Sequence, residues 1–329
     1  MLNNIVLFKI IVINIMIISD KGSGFVKIGV SIQDSVFRKK DLTLIANHNN
    51  LEAFLLELKS NGVQSIEIRK LIRNLDENVA NSYNTAIQLM WDIGFEITIH
   101  GDVTGDFTGQ HFAEVYPSME YILNHFTKYQ DSLTMTLHAY QEKNSGTSSE
   151  ILKKHTIELL GNWVKLVEKD NIPLYFGLEN NRKKSNATDP GNSCAGAEEM
   201  VSNINNPHLG ITWDMGHYFS NLSMYSNYES TKLGSNNIHL PKDSFLEKVY
   251  HTHIHGLSEA GRTHFPLTEE ESLPLESYVS ALNKFNYNGV LNLELSFERF
   301  TEEMNINNHL IASIERLKKL QYIDNLSKF

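Results

Sequence analysis

The sequence predicts an α/β protein, a closed (β/α)₈ or TIM barrel that forms a single domain with an apolar N-terminal extension. Three observations predict this fold. Eight short apolar stretches alternate with stretches of helical periodicity, which implies βαβ units and a parallel sheet. Polar and charged residues recur where the apolar stretches end, the place where such barrels build their active sites. The first stretch lacks the glycine-rich phosphate fingerprint that is typical of an open doubly wound sheet.

Each predicted strand is a short apolar run that is bounded by turn residues or by proline. The clearest is Leu174–Glu179, which follows Pro173 and stays apolar until it ends in a carboxylate. A strand covered on both faces is apolar nearly throughout, so a glutamate at its end is conspicuous. The other seven predicted strands are Phe25–Ile32, Val63–Arg69, Phe95–His100, Leu133–His138, Leu209–Asp214, Val249–His255 and Gly289–Leu295.

Helical periodicity fills the intervals between the strands. Asn61-Gly62 and Gly94 end two of these segments, as glycine commonly does. The last helix is amphipathic, with one apolar stripe. The predicted helices are Leu51–Leu58, Asp76–Ile93, Ala113–Tyr129, Ser148–Lys169, Ala197–Asn203, Lys242–Lys248, Leu275–Phe285 and Glu302–Leu320.

The domain organisation predicted is an apolar extension at 1–22 followed by the barrel domain at 23–329. Ile5–Ile18 is strongly apolar but is interrupted by Lys9 and Asn14, and it is shorter than the roughly 20 residues that a membrane span needs. It has neither a basic n-region nor a good cleavage site. We interpret it as an extension or extra strand outside the barrel, with an export or anchoring segment as the alternative.

Composition narrows the class of protein. A chain of 329 residues that is 41% hydrophobic can bury one large core, and a single barrel routinely fills this size. The net charge of −10 argues against nucleic acid as a partner, because nucleic-acid binders usually show a basic surface. One cysteine excludes an intrachain disulfide and fits a reducing compartment, so we expect a cytoplasmic protein without a stable membrane span. A homo-oligomer is compatible with the sequence.

Three long connections follow the fifth, sixth and seventh strands, on the predicted active face. They cover Asn181–Gly196, His217–Leu240 and Gly256–Ser272. Long loops in a compact domain are usually functional or disordered. The second is a candidate lid because of its aromatic side chains, and a disordered excursion is the alternative. These side chains are Tyr218, Phe219, Tyr225 and Tyr228.

Imidazoles and carboxylates gather at the strand ends. A single histidine or buried carboxylate there is usually structural, but all of them would converge in one barrel mouth. Like charges repel there unless a cation intervenes. A mixed oxygen and nitrogen set suits Mn²⁺, Mg²⁺ or Co²⁺, and Zn²⁺ when more imidazoles take part. The residues are His100, His138, Glu179, Asp214, His253, His255 and Glu294, with His217 one turn beyond Asp214.

Five motifs in this order resemble the xylose isomerase-like barrel superfamily, over roughly residues 25 to 320. This group includes sugar isomerases, ketose 3-epimerases, inositol-pathway enzymes and the endonuclease IV type of abasic-site nuclease. The motifs are specific for the superfamily and do not identify a substrate. They are Leu178-Glu179-Asn180, Trp213-Asp214-Met215-Gly216-His217, His253-Ile254-His255-Gly256, Arg262-Thr263-His264-Phe265-Pro266-Leu267, and the segment from Tyr287 to Glu294.

The resemblance implies a metal-dependent isomerase or epimerase of carbohydrate metabolism, with a small sugar, polyol or ketone as substrate. In that comparison Glu179, Asp214, His253 and Glu294 match the metal ligands, and His217 matches a histidine that contacts substrate oxygens or a second metal. The two glutamates would move protons on opposite faces of a substrate chelated by Mn²⁺, Co²⁺ or Mg²⁺, with Zn²⁺ as the alternative.

The remaining polar residues of the predicted mouth are expected to contact the substrate. Arg262 could hold substrate oxygens by charge-assisted hydrogen bonds, although a solvated loop arginine is the alternative interpretation. The expected substrate-binding residues are His100, His138, His217, His255, Arg262 and His264.

An endonuclease IV-like zinc hydrolase is the alternative function. His100, His138 and His264 fall at places that match the nuclease histidines, but Arg262 stands where that resemblance expects an aspartate. The following segment, 267–272, is acidic, which disfavours binding to DNA phosphates. A barrel that binds metal or sugar without turnover is the third hypothesis, since fold does not imply function.

Overall fold

The computed structural model describes residues 26–33, 51–69, 77–101, 120–143, 146–225, 239–267, 273–297 and 305–326. The predicted N-terminal extension at 1–22 lies outside these residues. So do residues 226–238 of the candidate lid, which include Tyr228, and residues 268–272 of the acidic segment.

Eight parallel strands close into a barrel, which confirms the predicted fold class. The barrel closes through its first strand, β1 (Lys27–Gln33). On one side β1 pairs with β2 (Ser65–Arg69), where Gly29 aligns with Ser65, and on the other it pairs with β10 (Val290–Leu293), where Lys27 aligns with Val290. The order around the barrel is β1-β10-β9-β8-β6-β4-β3-β2. The strands are β1 Lys27–Gln33, β2 Ser65–Arg69, β3 Glu96–His100, β4 Leu133–His138, β6 Leu174–Glu179, β8 Leu209–Asp214, β9 Val249–Ile254 and β10 Val290–Leu293.

Helices alternate with these strands along the chain. Gly62 and Gly94 follow two of them with positive φ angles of 90° and 89°, a conformation that glycine adopts without strain. Among the helices of the described segments, none combines the length and hydropathy that crossing a bilayer requires. The helices are α1 Leu51–Ser60, α2 Glu77–Ile93, α3 Ser149–Lys169, α4 Cys194–Ile204, α5 Met215–Tyr225, α6 Asp243–Leu246, α7 Leu275–Asn283 and α8 Ile306–Leu326.

Two of the predicted long loops contain regular structure. The connection predicted at His217–Leu240 begins as helix α5, so its first part is not a loop. The connection after β6 contains the short strand β7, Ala187–Thr188, which pairs antiparallel with β5, Glu142–Lys143. The helix predicted near Ala113–Tyr129 is described only from residue 120, where a helical segment leads into a 3₁₀ turn at Phe126–Lys128.

The two faces of the barrel strands differ in polarity. Side chains alternate along a strand, and the outward set is apolar and packs against the helices, as Ile66 and Ile68 do. The inward set is polar and buried, unlike the branched apolar residues that usually fill such a barrel. The hydroxyls of Thr136 and Thr212 lie 2.9 Å apart across the interior. A β-carbon at Gly177 would overlap the Thr212 hydroxyl, so this glycine makes room for it.

Strand β9 carries one extra residue relative to β8. Ile211 aligns with Val249 but Thr212 aligns with His251, which leaves Tyr250 without a partner in the ladder. This is the pattern of a β-bulge, in which two residues oppose one. The Tyr250 hydroxyl donates a hydrogen bond of 3.0 Å to the Pro207 carbonyl. Beyond the bulge the alternation resumes, and it directs His251 and His253 into the barrel.

Candidate metal centre

Four side chains converge at the carboxyl-terminal mouth of the barrel. Glu179, Asp214, His253 and Glu294 each offer one ligand atom, and these four atoms all lie within 4.8 Å of one another. All four residues are at most 1% exposed. They lie at or next to the carboxyl-terminal ends of β6, β8, β9 and β10, so barrel closure brings together residues that are far apart in the sequence. The structure therefore assembles the four residues predicted as ligands, and their role as ligands remains a prediction.

The geometry within this group fits a cation. The Nδ1 atom of His253 lies 3.2 Å from Oε1 of Glu179 and 3.3 Å from Oε2 of Glu294. Four buried atoms of this group make no hydrogen bond of acceptable geometry within the described part of the chain. They are Nδ1 of His253, both carboxylate oxygens of Glu179 and Oδ2 of Asp214. Buried polar atoms nearly always have a partner, so their convergence on one point fits a bound divalent metal.

Two histidines flank Glu179, one from the adjacent strand β4 and one from β3, the next strand along the barrel. The Nε2 atom of His138 lies 2.7 Å from Oε2 of Glu179, and that of His100 lies 3.4 Å from the same oxygen. Burial raises the pKa of Glu179, but the positive charge of His138 and then of His253 outweighs burial, and the net pKa lies well below its usual range. Burial lowers the pKa of His138, but Glu179 outweighs this and the net pKa is raised. His100, His138 and Glu179 form a second group that could hold a cation.

A third group lies on the other side of Asp214. The Nδ1 atom of His217 is 3.0 Å from Oδ2 of Asp214, and Nε2 of His255 is 3.2 Å from Oδ1. The backbone N–H of His264 donates a hydrogen bond of 3.0 Å to Nδ1 of His255. His217, His255 and His264 are close enough to share a cation. The structure thus places the predicted histidines of this region in contact with one another.

Helix α5 contributes to the position of Asp214. The backbone N–H of His217 donates a hydrogen bond of 2.6 Å to Oδ1 of Asp214. The carboxylate thereby occupies the amino-terminal end of α5, where a negative charge interacts favourably with the helix dipole. One oxygen of Asp214 is therefore used by the helix while the other faces the mouth.

Arg262 is the predicted site residue that the structure does not bring into the cluster. It lies on the turn after β9, where its backbone N–H donates a hydrogen bond of 3.0 Å to the Ser258 hydroxyl. Its side chain is exposed and, among the described residues, donates no hydrogen bond to the four converging side chains. Contact between Arg262 and a substrate stays a prediction.

A buried polar network, for which the sequence predicted no role, lies beneath the mouth. Glu67 on β2 accepts a hydrogen bond of 2.9 Å from Nε2 of His253 and one of 3.1 Å from Nε2 of His251. Burial raises the pKa of Glu67, but the nearby His253 and His251 lower it to well below its usual range. The available signal was a carboxylate, Glu67, between two isoleucines at an inward position of β2.

Solved structures of low sequence identity share this architecture. A D-tagatose 3-epimerase-like protein is 16% identical, with a TM-score of 0.61 over 91% of this chain and 99% of its own. A xylose isomerase domain protein from Alicyclobacillus acidocaldarius is 11% identical, with a TM-score of 0.61 over 90% and 98%. The 3-keto-D-glucoside 4-epimerase from E. coli is 16% identical, with a TM-score of 0.58 over 89% and 99%. These identities show a common fold and no more.

Sequence comparison places the chain more directly. No curated protein sequence matches it. Residues 55–320, most of the barrel, match the sequence profile of the family described as xylose isomerase-like TIM barrel. The match includes the segments that carry Glu179, Asp214, His253 and Glu294. The chain therefore belongs to the xylose isomerase-like TIM barrel family.

Proposed function

We propose that this protein is a divalent-metal-dependent isomerase or epimerase that acts on a small sugar, or on a related polyol or ketone. The observation that carries the proposal is the convergence of two glutamates, one aspartate and one histidine on one buried point at the barrel mouth. The names of solved relatives support it, since they include a D-tagatose 3-epimerase-like protein, a 3-keto-D-glucoside 4-epimerase and an L-ribulose 3-epimerase.

The metal would be held by Glu179, Asp214, His253 and Glu294. This donor set of three carboxylates and one imidazole suits Mn²⁺, Co²⁺ or Mg²⁺, and Zn²⁺ is the alternative. When bound, the metal supplies Lewis-acid polarisation of a carbonyl and its neighbouring hydroxyl, which acidifies the C–H bond between them.

Two carboxylates are available to move the proton of that C–H bond. Glu179 and Glu294 belong to β6 and to the end of β10, which are separated in the barrel by β8 and β9. They therefore approach the centre from different sides. Glu179 is held ionised by its lowered pKa, so it can accept a proton from one face of a substrate. Glu294 would enter the step carrying a proton and give it to the other face, and both carboxylates would regain their starting states by proton exchange with solvent.

The flanking histidines would orient the substrate. The neighbouring Glu179 raises the pKa of His138, which favours a protonated imidazole that could contact a substrate oxygen. His138 is partly exposed, with 28% of its side chain accessible, and so borders the open mouth. His100 packs edge-to-face against it, with ring centroids 5.0 Å apart. Their contact with Glu179 would couple substrate position to the proton-moving carboxylate.

Exchange of solvent deuterium into ketose substrates tests the proposal. In the presence of the metal-loaded protein, the ketose substrate should gain deuterium at the carbon next to its carbonyl. A panel of ketopentoses and ketohexoses covers the expected substrate class. Glu179→Gln removes the carboxylate that takes the proton, so it should reduce exchange by about 10²- to 10⁴-fold, the usual contribution of an acid–base residue. Glu199→Gln, on the exposed surface of α4, is the matched control and should retain exchange. Exchange that survives Glu179→Gln would contradict the acid–base role.

A metal-dependent phosphodiester hydrolase is the second candidate. The additional histidine groups favour it, because His100 with His138 and His217 with His264 could each complete a further metal site beside the first. The net charge of −10 counts against binding to DNA. Two or three zinc ions per chain, together with incision of an abasic-site duplex and no deuterium exchange, would reverse the ranking.

A further inference from the structure

We infer that Glu67 is a positioning residue, which holds the His253 ring so that Nδ1 faces the converging carboxylates at the barrel mouth. The inference rests on the proposed metal site and concerns a residue one layer below it. Glu67 is 0% exposed, inside the barrel, and so cannot touch a substrate itself. Whatever it does for the site, it does through His253.

The orientation of His253 is set from both sides of its ring. Nε2 donates a hydrogen bond of 2.9 Å to Oε2 of Glu67. Nδ1 points the other way, 3.2 Å from Glu179 and 3.3 Å from Glu294. An ionised carboxylate can only accept, so the proton on the Glu67 side is fixed on Nε2. Nδ1 is then the nitrogen that remains to bind a metal, as in other carboxylate–histidine–metal arrangements.

Glu67 is itself held firmly. Its Oε1 accepts hydrogen bonds of 2.6 Å from the Ser31 hydroxyl and 3.0 Å from Nδ2 of Asn292. Its Oε2 accepts a further bond of 3.1 Å from His251 in addition to that from His253. Four donors from strands β1, β9 and β10 therefore surround one carboxylate, which leaves it no alternative orientation. A rigid carboxylate of this kind can hold an imidazole within about 0.5 Å of the geometry that a site requires.

A purely structural role for Glu67 predicts a different outcome from a positioning role. If the carboxylate only completes the hydrogen bonds of the barrel interior, removing its charge would lower stability and leave metal affinity unchanged. Ser31→Ala is the matched control, because Ser31 bonds to the other oxygen of the same carboxylate and does not touch His253. Both variants disturb one network, but only Glu67→Gln disturbs the His253 contact.

The test measures Co²⁺ affinity by competition with a chelator, together with the visible absorption spectrum of the bound Co²⁺. Glu67→Gln should weaken Co²⁺ binding by about 10- to 100-fold and alter the spectrum, as loss of an outer-sphere partner commonly does. Ser31→Ala should stay within about threefold of the unmutated protein. Equal affinity for Co²⁺ in Glu67→Gln and the unmutated protein overturns the inference and leaves the proposed function standing. Failure of the unmutated protein to bind any divalent metal overturns both.

A measurement on the unmutated protein tests the inference without requiring that a variant folds. Nitrogen-15 NMR of the Zn²⁺-loaded chain, with labelled histidine, reports which ring nitrogen of His253 carries a proton and which binds the metal. The inference expects a protonated Nε2 and a metal-bound Nδ1. A metal-bound Nε2 would contradict the inference, because Nε2 is the atom that donates the hydrogen bond to Glu67.

Discussion

Asn180 and Asp214 are joined by two reciprocal hydrogen bonds. Nδ2 of Asn180 donates to the carbonyl oxygen of Asp214 over 2.8 Å, and the backbone N–H of Asp214 donates to Oδ1 of Asn180 over 2.9 Å. The amide side chain thereby takes the place of a backbone partner where β6 and β8 end. Because Asn180 directly follows Glu179, this pair fixes the separation of two predicted metal ligands.

Asn180→Ala should lower the free energy of unfolding by about 1–3 kcal/mol, because it removes both bonds and leaves buried backbone groups of Asp214 without a partner. Urea denaturation measures the loss. The control is Asn203→Ala, which removes a hydrogen bond of 2.8 Å to the Glu199 carbonyl on the exposed surface of α4. Surface changes of this kind usually stay within about 0.5 kcal/mol. Equal losses in the two variants would contradict the role assigned to Asn180.

Divalent metal should raise the melting temperature of the protein. A ligand that binds only the folded state adds about 2.7 kcal/mol to the free energy of unfolding at 100 times its dissociation constant. Asp214→Asn removes a negative charge from the four converging side chains and should abolish most of the shift. Differential scanning fluorimetry with Mn²⁺, Co²⁺, Mg²⁺ and Zn²⁺ measures this, with Glu199→Gln as the exposed control. A shift that Asp214→Asn does not diminish would place the metal elsewhere.

Gly177→Ala should destabilise the barrel, because the added β-carbon overlaps the Thr212 hydroxyl in the closely packed interior. Overpacking of this kind typically costs about 1–3 kcal/mol. Gly161→Ala is the opposite case, since its β-carbon in the middle of α3 meets nothing within 4 Å. That change should stabilise the protein by about 0.5–1 kcal/mol. Thermal unfolding of the two variants gives the comparison, and a neutral Gly177→Ala would mean that Thr212 can move aside.

The stability of the metal-free protein should depend on the ionisation of His138. Burial lowers the pKa of this residue, but Glu179 more than compensates and raises it above the usual 6.5. A group with a higher pKa when folded stabilises the fold below its unfolded pKa, and this contribution disappears as the pH rises through the folded pKa. The free energy of unfolding should therefore fall as the pH rises from about 6.5, the usual histidine value.

Urea denaturation at a series of pH values, in the presence of a chelator, measures this dependence. His138→Gln should make the decline shallower. His155→Gln, an exposed histidine on α3, serves as control and should leave the decline unchanged. If His138→Gln and the unmutated protein lose stability in parallel, the contact with Glu179 does not act as described.

The sequence predicted the barrel because its signals are local. The strand at Leu174–Glu179 has the same bounds in the structure as in the prediction, since Pro173 and the terminal carboxylate mark its ends. Strand β10 covers Val290–Leu293 and is shorter than the predicted strand, Gly289–Leu295. The N–H of Glu294, just beyond it, still donates a hydrogen bond of 3.0 Å to the Ile254 carbonyl. The strand-end residues could be grouped because parallel strands of a barrel all end at one mouth.

Non-local contacts account for what the sequence did not predict. The sequence predicts a loop where helix α5 forms, because the start of this helix depends on the Asp214 carboxylate accepting a hydrogen bond from the His217 backbone. The network beneath the mouth joins Glu67 to Ser31 across 36 residues, to His251 across 184 and to Asn292 across 225. No spacing rule connects residues at such separations before the barrel is known to close.

The unpaired Tyr250 gives strand β9 a position where chain length can change by one residue. Deleting Tyr250 would restore a regular ladder and keep His251 and His253 facing inward, because the residues on either side of the bulge already occupy the faces that a regular strand requires. Deleting Thr252 would instead make the two histidines adjacent and put them on opposite faces. The same loss of a single codon, two positions apart, would thus spare the mouth in one case and dismantle it in the other.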